Sequence, residues 1–424
     1  MLQIERSTPI FVLRQSFAEL QHAVLGVARS AGRLGIPVYA VRMQRGEPAT
    51  RSRYVRAGFE RLRGASDEQW LEALTEFDAG GAKPLLLPID DPSAVFVHDH
   101  HETLRQRFLL PKDPQGLHRR LASKRELWKL ATQLGLAAPV SSFPTSEAEL
   151  VECAEQSSYP VVLKQADPWL PSRDPSAPSV LIARTRAELI DGYHRMESPM
   201  RPQVMVQEYI PGGSDAIWMF NGYFDRDSEC LCAFTGRKLR QRGPRTGPAT
   251  LGICAWNEVV ADAATRLMRA VGYHGIIDMG FRYDDRDGQY KLLDVNPRMG
   301  STFRLFVGEN GLDVVRAAYL DLTGQTVPLT DACNGRAWLV EPYDLVAAWQ
   351  LGREGTLRPG EWVRSLRAVD ETAWWARDDP APFLAMLASL GPEAVRYSKR
   401  RSRRKRRPRI ASMSGEAATA QAPT

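Results

Sequence analysis

The residues best suited to chemistry lie in a pair of strand-like runs near the middle of the chain. Gly275-Ile276-Ile277-Asp278-Met279-Gly280-Phe281 is followed by an Asp/Gly-rich turn, Asp284 to Gly288, and then by Tyr290-Lys291-Leu292-Leu293-Asp294-Val295-Asn296-Pro297-Arg298. Two strands around such a turn predict a hairpin. Side chains alternate along a strand, so Asp294, Asn296 and Arg298 are expected on one face and Lys291, Leu293 and Val295 on the other. The partner strand can bring Asp278 opposite. Two carboxylates, an amide oxygen and a guanidinium would then converge, a hard-oxygen set suited to Mg²⁺ carrying phosphates. An acidic solvent face is the plainer alternative, but Asn-Pro-Arg after the carboxylate argues against it.

Three further segments carry cations or a hinge. Ser123 and Glu126 read as a capping box opening a helix, which puts Lys124 in the first turn, against the helix dipole. Such a cation is either there for an anion or is a solvated surface lysine. Tyr159-Pro160-Val161-Val162-Leu163-Lys164 is an apolar strand ending in lysine, whose ammonium either enters a cleft as a compact charge for phosphate or snorkels to water. Val204 to Ile210 is a strand broken by Pro211-Gly212-Gly213. Backbone groups at that break can bond an adenine edge, with Glu208 accepting from the exocyclic amine.

In this order, Lys124, Lys164, Gln207-Glu208-Tyr209-Ile210 and Asp294-Val295-Asn296-Pro297-Arg298 resemble the ATP-grasp family of carboxylate–amine ligases, most like its D-aspartate ligase-type and uncharacterised members. The resemblance covers about residues 119–330. It implies an α/β (α+β) ATP-grasp fold: a Rossmann-like pre-ATP-grasp domain over 1–118, then a two-lobed ATP-grasp domain over 119–330, with lobes of about 119–206 and 207–330. It also implies ATP as cosubstrate with Mg²⁺ (or Mn²⁺), and ligation through an acyl phosphate with release of ADP. Lys124 and Lys164 would hold the α- and β-phosphates. Gln207, Glu208 and the backbone of Tyr209 and Ile210 would hold adenine. Asp278, Asp294 and Asn296 would bind the metal, and Arg298 would stabilise the transferring phosphoryl group. Lys238 or Arg240 would contact the γ-phosphate or the substrate carboxylate. Two departures stand out. The family usually has a Gly-rich phosphate loop after the second lysine, whereas Gln165 to Val180 is Pro/Ser-rich with no glycine. Many relatives also carry an acid immediately before the hairpin phenylalanine, where this chain has Gly280.

The elements that must position these residues follow from the apolar pattern. Pro9–Leu13, Ile36–Val41 and Lys83–Pro88 read as strands with helices between them, which implies a parallel sheet. No Gly-x-Gly-x-x-Gly follows the first strand, so dinucleotide binding is not expected there. His98-Asp99-His100-His101 is read as a polar helix face and not a metal site, because adjacent helical positions point apart. Residues 331–395 form a Trp-rich extension expected to pack on the core, and 396–424 a basic disordered tail.

Composition bounds the rest. The 424 residues are 43% hydrophobic and 25% charged, ordinary values for a folded chain. Five scattered cysteines argue against a disulfide framework or structural zinc and for a reducing compartment. No apolar run reaches the ~20 residues of a membrane span, and no signal peptide is evident, so a cytoplasmic location is expected. The net charge of +6 is misleading. Residues 396–409 hold ten Lys/Arg and no acid, and without residues 396–424 the chain has 46 bases against 49 acids. The expected partners are a small carboxylate and a small amine. The tail would bind nucleic acid or anionic membrane weakly through salt-sensitive contacts. The competing reading is a non-catalytic nucleotide-binding protein recruited through that tail.

Overall fold

A computed structural model describes residues 4–16, 22–42, 47–60, 64–167, 179–198, 202–243 and 247–390. The basic segment 396–424 and most of the Pro/Ser-rich stretch after Gln165 lie outside the described residues.

Three sheets form the framework. The first is parallel and holds β1 (Ile10–Leu13), β2 (Val38–Arg42), β3 (Val55–Glu60) and β4 (Leu85–Pro88) in the order β3-β2-β1-β4. β1 is apolar throughout because both of its faces are covered. Ile10 and Val12 enter one core with the helix His22–Gly32, while Phe11 and Leu13 enter another with Trp70, Phe96 and Phe108. β4 divides in the same way, Leu85 and Leu87 from Leu86. At its end Asp90 caps the helix Asp91–Asp99, its carboxylate accepting from the Ser93 amide in a capping box.

The second sheet holds β5 (Ser141–Ser142), β6 (Val161–Gln165), β7 (Val180–Ala183) and β8 (Val204–Glu208), antiparallel in the order β5-β8-β6-β7. Val161, Leu163, Val204 and Val206 pack on the helices Glu147–Gln156 and Arg186–Met196. The intervening residues must face the other way, which is what turns Val162, Lys164 and Gln207 toward a cavity.

The third sheet holds β9 (Ile217–Phe224), β10 (Cys230–Gln241), β11 (Ala249–Cys254), β12 (Gly275–Asp284), β13 (Gln289–Asn296), β14 (Ala337–Leu339) and β15 (Glu371–Thr372). Their order is β13-β12-β9-β10-β11-β14-β15. Ile277, Met279 and Phe281 of β12 pack with Phe220, Phe224 and the helix Glu258–Val271. Asp278, Gly280 and Arg282 therefore face the cavity. β14 and β15 come from the Trp-rich extension, and Trp338 and Trp374 are buried in the core that also receives β1. Trp349 and Trp375 are exposed. Among the described residues, no helix is long and apolar enough to cross a membrane.

Candidate active site

The two antiparallel sheets face each other across a cavity of about 390 Å³. Eleven of the twelve residues singled out from the sequence line it: Lys124, Lys164, Gln207, Glu208, Tyr209, Ile210, Lys238, Asp278, Asp294, Asn296 and Arg298. One end is apolar, with Val162, Ile182, Ile210, Ile217 and Met219. The other end collects the charges, so the cavity suits a flat ring joined to a polyanion.

Lys124 opens the helix Lys124–Gln133, but the expected capping box does not form. Ser123 makes no side-chain cap bond, and Glu126 accepts from Lys129 instead (2.9 Å). The Lys124 amide donates to the Ala166 carbonyl at 2.7 Å, tying the helix start to the end of β6. This tie sets the two phosphate-binding candidates, Lys124 and Lys164, beside one another. Burial pushes Lys164 down to about 8 despite the charge of Asp294, and burial lowers Lys238 as well.

The carboxylates form a compact set. β12 and β13 pair Asp278 with Asn296 and Gly280 with Asp294. The Asn296 side-chain amide donates to Asp278 (3.2 Å) and to Asp294 (3.3 Å), bridging the two. Burial raises Asp278 to about 6, with the neighbouring Asp294 charge adding to the effect against the pull of Arg298. Burial would raise Asp294 too, but Lys124, Lys164 and Lys238 together hold it below the ordinary carboxylate range. Glycine at 280 has a steric meaning: a Cβ there would overlap an Asp294 carboxylate oxygen, and a Cβ at Gly300 would overlap the Asp278 carboxylate. An acid at 280 and this Asp294 geometry are mutually exclusive. Two carboxylates and an amide oxygen, gathered among lysines, are hard donors that fit Mg²⁺.

Two irregularities correct the strict alternation expected of the strands. The register of β12 and β13 shifts between Gly280 and Phe281, leaving Leu293 unpaired. A bulged residue leaves the alternation, so Leu293 lines the cavity with Asp294 instead of facing away with Lys291 and Val295. A second shift, between Lys238 and Arg240, separates those two residues. Lys238 reaches the cavity and donates to the Gly247 carbonyl (2.9 Å). Arg240 does not. Its guanidinium is buried in a bidentate pair with Asp344 (2.8 and 2.9 Å) and also donates to Ser365 (2.8 Å). It is an anchor for the C-terminal helices and is removed from the candidate catalytic set.

Glu208 is also more engaged than expected. It accepts from the Val140 amide (3.0 Å), Arg286 (2.8 Å) and Lys291 (3.1 Å). Burial works against its charge, but these donors outweigh it and hold the carboxyl below its usual range. A carboxylate has about four lone-pair sites, so one remains for an adenine amine. The buried Gln207 side chain donates to Ser141 (3.2 Å), which leaves the backbone of Tyr209 and Ile210 as the free edge.

Arg298 donates to Asp91 at 2.6 Å, a contact from the large sheet to the first turn of the helix that follows β4. Burial opposes its charge, but Asp91 and Asp278 outweigh it and raise the guanidinium above its ordinary value. Asp91 was not anticipated. Its position at the carboxyl end of a parallel strand, where such sheets open a crevice, was the available signal. Arg282, Ser301 and Thr302 also line the cavity and carried no sequence signal.

No protein-family model matches the chain. The chain is 27% identical over 246 residues to the D-aspartate ligase of Enterococcus faecium, an alignment covering 55% of this chain and 57% of that protein. The match thus spans little more than half the length of that relative. Among solved structures, it is similar to the N5-carboxyaminoimidazole synthetase of Staphylococcus aureus complexed with ADP (TM-score 0.59, 11% identity, 79% of this chain and 82% of that one). It is also similar to an L-amino acid ligase from Bacillus licheniformis (TM-score 0.56, 17% identity, 79% of each chain). The chain shares the ATP-grasp fold with these structures.

Proposed function

We propose that this protein of ATP-grasp fold is an ATP-dependent ligase joining a small carboxylate to a small amine, with release of ADP and phosphate. The observation that carries the reading is the convergence, in one cavity, of three lysines, the Asp278–Asn296–Asp294 set and Arg298, opposite an apolar slot bounded by a strand break. Carboxylate–amine ligation is the reaction named for the ligases this chain resembles.

In this proposal the apolar slot and the backbone of Tyr209 and Ile210 hold the adenine ring. Lys124 and Lys164 neutralise the phosphates. Asp278, Asp294 and Asn296 hold Mg²⁺, which supplies charge neutralisation at the phosphate oxygens when bound. Asn296 would turn its amide oxygen inward to do so. A carboxylate oxygen of the acid substrate attacks the γ-phosphorus, forming an acyl phosphate as the bond to ADP breaks. Arg298, with Lys238 beside it, stabilises the negative charge on the transferring group. The amine then attacks the acyl carbon and phosphate leaves. The protein's contribution is mainly placement of reactants and fixed charge.

The test is ADP release by the intact chain over a panel of carboxylates and amines. Asp294→Ala and Arg298→Ala are expected to abolish Mg²⁺-dependent release with an unchanged circular dichroism spectrum. Either variant turning over at the wild-type rate would sink the assignment.

A further inference from the structure

A second cluster of ligand-bearing residues lies outside the nucleotide cavity. His98 is in the last turn of the helix Asp91–Asp99, Asp113 is in the connection that follows, and His118 is in the first turn of the helix Leu117–Ala122. The two imidazoles stack with centroids 4.5 Å apart and planes 14° from parallel. His118 Nε2 is 2.9 Å from Asp113 Oδ2, and one donor atom from each of the three residues lies within 4.8 Å of the others. The other Asp113 oxygen accepts from the His274 amide at 2.6 Å, which fixes the carboxylate.

The protein leaves this cluster unsatisfied. The His118 and Asp113 side chains are only 10% and 3% exposed. His98 Nε2 and His118 Nδ1 are sealed from solvent without a hydrogen-bond partner. Buried polar atoms of this kind are rare and costly unless something else occupies them. Burial, with the neighbouring His118, pushes His98 down to about 4. Its imidazole is therefore neutral at pH 7, the form that ligates metals.

We propose that His98, Asp113 and His118 bind a divalent transition-metal ion of the zinc class. Two imidazole nitrogens and one carboxylate are the donor set such an ion takes, with a fourth position left for water. The set differs in kind from the all-oxygen Asp278–Asn296–Asp294 group, so Mg²⁺ and the transition metal would sort to different places. The helix carrying His98 begins at Asp91, the partner of Arg298. An ion here would brace that helix against the connection leading into the nucleotide-binding body.

The experiment uses the full chain, stripped with chelator and titrated with Zn²⁺ in excess Mg²⁺. Metal is counted by elemental analysis after gel filtration. The expected result is one retained zinc per chain and a raised melting temperature, with the zinc lost in His98→Ala and His118→Ala but kept in Asp294→Ala. No retained zinc in the wild type would overturn the proposal, as would zinc that survives both histidine substitutions or disappears with Asp294→Ala. Should the histidine variants fail to fold, zinc X-ray absorption on the wild type decides. Imidazole scattering supports the site, and a sulfur or all-oxygen shell refutes it.

Discussion

Lys164 owes its position to one strand and its chemistry to burial. Alternation along β6 sends Leu163 into the core and Lys164 into the cavity. There its ammonium loses protons near pH 8 instead of the usual ~10.4. Phosphate favours the protonated form, so nucleotide affinity is expected to weaken as pH rises past 8, with a slope approaching ~10-fold per pH unit for one linked proton. Lys164→Arg, charged at every accessible pH, should flatten that profile. Identical profiles would show that the ammonium is not at the phosphates. For folding the sign reverses. The unfolded chain holds this proton to higher pH than the folded one, so between about 8 and ~10.4 the contribution of Lys164 to stability rises with pH. Asp278 carries the opposite burden. Burial raises it to about 6, so at pH 7.5 it is ionised at a cost. Without metal, Asp278→Asn is expected to raise the melting midpoint by about 2 °C, while Mg²⁺-dependent ADP release falls at least ~100-fold. A variant that is both less stable and fully active would contradict both roles.

At the scale of elements, the site depends on contacts between segments that are distant in sequence. Arg298 follows β13, and its partner Asp91 begins a helix of the parallel layer. Asp91 is here a positioning residue. Asp91→Asn should leave nucleotide affinity, read by calorimetry, unchanged, because Asp91 does not line the nucleotide cavity. Turnover should drop about tenfold, as expected when a charge-stabilising group loses its aim. A fall in affinity with turnover intact would reverse that assignment. These elements were unequally legible in the sequence. The lysine-ended strand, the strand break after Ile210 and the hairpin from 275 to 298 follow from apolar pattern and turn residues, which are local. The bulges at Leu239 and Leu293 are not local. Each depends on the register against a neighbouring strand, and a one-residue slip moves every later side chain to the other face. That is why Arg240 read as a companion of Lys238 and proved to be its opposite. The pairing of His98 with Asp113 and His118 was hidden for the same reason, since its partners come from a different turn of chain than its sequence neighbours.

Across the whole molecule, the large sheet runs continuously from the hairpin that carries Asp278 and Asp294 to the Trp-rich extension. Asp344 locks that extension, accepting from Arg240, Thr250 and the Trp362 indole. Breaking a satisfied buried pair leaves a bare buried charge. Asp344→Ala should therefore cost roughly 3–5 kcal/mol in denaturant unfolding, well beyond a surface pair. A loss under about 1 kcal/mol would mean the extension is not held there. The alternation of β1 and the layering of apolar runs made the α/β architecture readable at this scale. The acidic body is where the candidate chemistry resides, and its few inward cations converge on one cavity. The central claim is that a carboxylate oxygen attacks the γ-phosphorus of ATP. It is tested most directly by turnover with an acid substrate labelled with ¹⁸O in its carboxyl group, followed by mass analysis of the released phosphate. The account predicts ADP together with phosphate carrying one ¹⁸O. Unlabelled phosphate, or AMP with pyrophosphate, would contradict it.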